Sequence, residues 1–77
     1  MATAFDIQGV SERNTLDASG NIVPVVMVYI HTLMGATGSL EIPRAQYLQL
    51  VQTEEGKAVL KDMLQERADA LDLPFQL

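Results

Sequence analysis

The 77-residue chain contains no cysteine and no tryptophan, two tyrosines, two phenylalanines, one histidine and only five Lys and Arg against ten Asp and Glu. Each scarcity excludes something. Without cysteine there is neither a disulfide framework nor a thiolate metal site, the usual staples of a small domain. With a formal net charge of −5 and its cations scattered at Arg13, Arg44, Lys57, Lys61 and Arg67, the chain lacks the clustered basic surface that neutralises phosphates, so direct nucleic-acid binding is not expected. The longest apolar run, Ile22–Ile30, is nine residues and contains Pro24, far short of the about 20 needed to span a membrane as a helix. The opening Met1–Asp6 has neither the basic stretch nor the apolar run of a secretion signal, so the chain is expected to stay where it is made.

What is present fits one domain. By size scaling, an 8.4 kDa monomer folds to roughly 4,600 Å² from a chain exposing about 12,000 Å², hiding about 60% of its surface, which is marginal. With the staples missing, a second copy or a larger assembly is the remaining source of stability. Composition shifts at Pro43: four of the five glycines and most β-branched residues precede it, and Gln, Glu, Lys, Leu and Ala dominate after it. This order predicts an α+β fold, a small antiparallel sheet of three to four strands followed by a C-terminal helix or two helical arms packed on one face. Residues 1–43 are the β-rich part, 44–72 the helical part and 73–77 an apolar tail.

Thr3–Val10 alternates, with Phe5 and Ile7 on one side and Ala4, Asp6 and Gln8 on the other, the period of a half-buried strand. Ser11–Asn21 reads as a polar connection ending in the turn cluster Asp17-Ala18-Ser19-Gly20-Asn21, where Gly20 or Asn21 takes positive φ at little cost. In Ile22–Thr32 both faces are apolar: Pro24, Val26, Val28 and Ile30 on one, Val23, Val25, Met27 and Tyr29 on the other. Such a strand must be covered twice. Either loops and the tail close the second face or another chain does; with helix enough for a single cover, another chain is expected. Burying four apolar side chains there contributes on the order of 6 kcal/mol before ordering costs.

Leu33-Met34-Gly35-Ala36-Thr37-Gly38 then leads into a second alternating stretch, Ser39–Ile42, stopped by Pro43, a hairpin with a longer loop. Arg44–Gln52 predicts a short helical arm entered through Pro43. Thr53 can cap a second arm with Glu54 and Glu55 in its first turn. There Val59, Leu60, Met63, Leu64, Ala68 and Leu71 form the apolar stripe, and Lys57, Lys61, Asp62, Gln65, Glu66 and Asp69 the solvated remainder. The helix should end before Pro74.

Little of this points to chemistry. His31 stands at a strand end without a Ser, Cys or Asp spaced for a nucleophile relay, so a strand-end imidazole is the expectation and a general base or ligand the alternative. Glu54 with Glu55 and Asp62 with Glu66 lie on the solvated helix side, where no burial raises a pKa for acid work. Asp17, Ser19 and Asn21 invite a calcium loop, but its sixth and twelfth positions would be Ile22 and Val28 rather than glycine and a carboxylate. Gly35–Gly38 lacks the lysine of a phosphate loop and lies between strands. No catalytic residue, cofactor or metal is assigned, and a small-molecule substrate is not expected. The candidate contact residues are Val23, Val25, Met27 and Tyr29 on the second strand face, Leu33 and Met34 at the loop, and Phe75 and Leu77 in the tail.

The run Asp17–Val25, the strand Val28–Thr32 and the stretch Gly35–Pro43 with Tyr47 resemble small tailed-bacteriophage proteins. In that family a D-x-x-G-x-x-V-P turn, a strand that runs from Val to a terminal Thr and a G-x-x-G-x-x-E-[IV]-P strand recur. The resemblance covers about a third of the chain and implies a virion component, made in the host cytoplasm, whose partners are other copies of itself and other virion proteins. It supplies no catalytic residue and does not assign head, neck or tail. The alternative is a small acidic phage-encoded regulator or inhibitor that binds a host protein.

Overall fold

In a computed structural model the chain forms a three-stranded antiparallel sheet in the order β1-β2-β3, followed by two helices, the α+β arrangement expected. The structure describes residues 3–73. Strand β1 is Phe5–Leu16, β2 Ile22–Thr32 and β3 Thr37–Pro43, with helices α1 at Arg44–Leu50 and α2 at Glu54–Asp72. The expected tail contacts Phe75 and Leu77 lie outside the described residues.

Strand β1 is longer than its apolar alternation. Instead of ending at Val10 it continues through the polar Ser11–Thr15, each residue paired to β2 down to Leu16 opposite Ile22. Polarity does not end a strand whose partner holds it, and an edge strand tolerates polar side chains well. A bulge between Ile7 and Gly9 inserts Gln8 without a partner. It also resets the alternation: Ile7 pairs with Ile30 and Val10 with Val28, so both share the face of the β2 residues they oppose.

The turn after β1 forms as read. Gly20 has φ +83°, its amide donates to the Asp17 carbonyl at 3.0 Å, and the Asp17 carboxylate accepts from the amides of Ser19 and Asn21 at 2.9 Å each. The amides of Asn21 and Ser19 hold the Asp17 carboxyl below the ordinary value of 3.8, since both favour its charged form. Beyond β2, Gly35 turns the chain at φ +91°. There the Thr32 hydroxyl donates to the Asp72 carboxylate at 2.6 Å and accepts from the Ala36 amide at 3.1 Å, tying the end of α2 to the sheet. Thr32 and Asp72 are both buried, and each is satisfied by that bond.

Both helices lie on one face. Val26, Val28, Ile30 and Ile42 pack with Leu64 and Ala68, flanked by Phe5, Leu40, Tyr47, Leu60, Met63 and Leu71. Thr53 caps α2 by accepting from the Gly56 amide at 2.9 Å. Gly56 carries no side chain because a Cβ there would run into the Leu50 carbonyl where the two helices meet. Val59, expected in the stripe, is exposed. At about 100° per residue it sits about 140° around the helix from Leu64, outside the buried sector.

Candidate functional site

The second face of β2 is closed differently from the expectation. Val25 and Met27 are only 3% and 6% exposed within this single chain, so these two candidates are not a free contact surface. No helix among the described residues lies over them. Their register neighbours are Arg13 and Pro43 beside Val25, and Ser11 and Glu41 beside Met27. The Arg13 guanidinium and Glu41 carboxylate meet at 3.8 Å, spanning the central strand diagonally between the two apolar residues. Long side chains from both flanking strands thus stand beside a narrow central row, and such side chains cover apolar neighbours with their aliphatic stems while keeping their charges in water. Val23 is half-buried; Tyr29 is exposed, and its hydroxyl accepts from Ser11 Oγ at 3.2 Å.

The free apolar surface lies instead on the helix side, along β1. Helix α2 covers β2 and β3, leaving the flank of β1 open, with Ile7 56%, Val10 52%, Leu16 66% and Ile22 70% exposed. At one end of this ribbon a cleft of about 570 Å³ runs between β1 and α2. Phe5, Ile7, Leu60 and Leu64 supply its apolar lining, Lys57, Lys61 and Gln65 the helix side, and Ala4 and Asp6 the strand side. Lys57, Lys61 and Gln65, expected in the solvated remainder of α2, therefore border a groove, because the helix overhangs a strand it does not cover. Lys57 pairs with Glu54 at 3.4 Å; Lys61 has no ion-pair partner among the described residues.

The cleft is anchored by polar contacts. The Thr3 amide donates to the Asp69 carboxylate at 2.8 Å, and the Gln65 side-chain amide donates to the Thr3 carbonyl at 2.6 Å and to Asp69 at 3.1 Å. The Thr3 amide and the Gln65 side chain hold the Asp69 carboxyl below its ordinary value. At the opposite end of β1 the Leu16–Ile22 pair projects beyond β3, whose pairing with β2 begins only at Val25. The remaining candidates, Leu33 and Met34, are exposed in the turn after β2, at the recess end of β1, where the Leu33 amide donates to the Ala4 carbonyl at 3.1 Å.

His31 lies half-buried at the end of β2, with Asp6 and Thr37 as its register neighbours. Among the described residues no three His, Cys, Asp or Glu side chains group as metal ligands. No helix among them is long and apolar enough to cross a membrane.

The sequence hides this flank because Ser11–Asn21 reads as a polar connection. One signal for it was present: Leu16 and Ile22 bracket the Asp17–Asn21 turn symmetrically, the pattern of a hairpin whose last pair is apolar. What the arrangement offers chemically is a flank with a lysine-bordered apolar recess at one end, Val10 near the middle, the polar Glu12 and Asn14 beyond it, and an apolar knob at the other end. Comparison with known proteins finds no matching family model, no similar curated protein and no similar solved structure.

Proposed function

We propose that this chain is a non-enzymatic structural protein that assembles through protein–protein contacts, as a component of a bacteriophage virion. The observation that supports assembly is surface. The chain exposes 5412 Å², against roughly 4,600 Å² for a compact monomer of its mass. Its radius of gyration is 13.6 Å, where about 11.5 Å is typical of 77 residues. Four apolar side chains on one flank, Ile7, Val10, Leu16 and Ile22, are more than half exposed, and apolar surface grouped on a small chain marks an interaction site. The virion setting rests on the turn and strand motifs between Asp17 and Tyr47, and other copies and other virion proteins are the partners it implies.

Mass spectrometry of gradient-purified particles from an infected host tests the setting. Recovery of the chain at a fixed ratio to the other particle proteins is expected. Its absence from particles, together with a salt-sensitive complex with one host protein, would instead identify the acidic regulator.

A further inference from the structure

We infer that the open flank of β1 is the contact between two copies of this chain, lying antiparallel about a twofold axis near Val10. This inference rests on the assembly half of the proposed function and names its contact; it does not need the virion setting.

Three observations select a second copy as the occupant. The first is exposure: Ile7, Val10, Leu16 and Ile22 are each more than half exposed along one flank, apolar surface that a second chain would remove from water. The second is the order of features along the strand. The apolar recess beside Ile7 and Leu60 lies at the start of β1, Val10 near its middle, and the Leu16–Ile22 pair at its far end. An element with a recess at one end and a knob at the other complements its own copy when the copy is reversed, and each recess then receives the other chain's knob, once per chain. This closes a dimer with the same patch used on both sides.

The third is charge. Asp17 follows Leu16 directly and keeps its carboxylate ionised through the turn amides, while Lys61, without an ion-pair partner among the described residues, borders the recess. In the reversed copy the acid of one chain comes to the lysine of the other. Glu12 faces the same side as Val10 and Val26 but is already held by Arg44 at 3.3 Å, so the middle of the ribbon brings no uncompensated like charge to the axis. The bulge at Gln8 breaks the regular pairing of β1 with β2, and the contact inferred is made by side chains of the helix-side face rather than by extending the sheet.

The full-length chain in sedimentation equilibrium tests this. The wild type is expected at twice 8.4 kDa. Val10→Arg puts two cations at the axis and is expected to raise the dissociation constant about tenfold or more, with the far-ultraviolet spectrum unchanged because Val10 is half-exposed. In this cysteine-free chain, Val10→Cys should be joined into a covalent dimer by a short bismaleimide, whereas Leu33→Cys, exposed in a turn away from the axis, should not. A wild type of 8.4 kDa at every concentration overturns the inference, as does a folded Val10→Arg chain that dimerises like wild type. Should Val10→Arg fail to fold, the cross-linking pair decides, and linkage through Leu33→Cys equal to or above that through Val10→Cys overturns it. Recovery from particles is a separate result: a virion protein that is monomeric, or that pairs through Leu33, fails this inference and keeps the proposed function.

Discussion

Val26, Val28 and Ile30 of β2 lie beneath a helix, whereas Val25 and Met27, on the other face of the same strand, are flanked by the two members of an ion pair. Both sets are buried. The difference is in how much of the molecule each cover engages. The helix side joins all three strands and both helices into one core; the other side is a single row of central-strand residues between the stems of Arg13 and Glu41. A central strand of a three-stranded sheet is narrow enough for two long side chains to span, so apolarity on both faces does not by itself require two layers of secondary structure. The same comparison shows where cover is lacking: on β1 past Phe5, an edge strand whose flank α2 leaves open and where no outer strand supplies stems.

The sharpest way to break the comparison is to remove the same kind of atoms from each side. Ile30, 1% exposed in the helix-side core, should lose about 3 kcal/mol on truncation to alanine, through lost burial and the cavity left behind. For a domain of 77 residues, whose whole stability is about 4–11 kcal/mol, that is a large fraction. Urea denaturation should show Ile30→Ala with a much lower midpoint at an unchanged slope. A midpoint close to wild type would mean that α2 does not seat on this face.

The other face asks whether Arg13 covers by its stem or by its charge. An exposed ion pair contributes about 0–1 kcal/mol, whereas the stem shields Val25 and Met27 whatever the charge does. Arg13→Ala should therefore cost about 1 kcal/mol, and Arg13→Met, which keeps an unbranched stem, should recover most of it. High salt should leave the difference between the two variants standing. Equal losses in both, erased by salt, would assign the shelter to the ion pair.

Much of this contrast was legible in residues and some of it was not. The β2 pattern placed Val26, Val28 and Ile30 on one face, and Thr53, Gly20 and Pro43 marked where helix, turn and strand change. Leu64 and Ala68 followed from helical spacing. The closure of the second face was not legible, because Arg13 sits in a segment that reads as a loop and its relation to Glu41, 28 positions away, exists only through strand register. The β1 ribbon was hidden by the same segment: with the bulge at Gln8 unseen, Val10 falls on the wrong side of the alternation begun by Phe5 and Ile7. Register and bulges are set by the partner strand, and a period-two reading of one strand does not contain them.

The smallest effect concerns how the two ends of β1 are held, Asp69 fixing Thr3 at the cleft and Asp17 shaping the tip. Both carboxyls are held below their ordinary value of 3.8 by hydrogen bonds to the charged form. A carboxyl whose folded value is depressed adds stability that is present above its unfolded value and disappears as pH falls through the folded one. Stability should therefore be level with respect to these two groups near neutrality and decline below about pH 4, the unfolded aspartate range. Asp69→Asn keeps an acceptor for the Thr3 amide without a titrating proton, so its thermal midpoint should decline less steeply in acid than that of wild type. Because the Asp69 contacts anchor the start of β1 and the Asp17 contacts only its tip, Asp69→Asn should also flatten the acid decline more than Asp17→Asn does. The reverse ranking would mean that the tip, and not the cleft end, is the part of the hairpin tied to global stability.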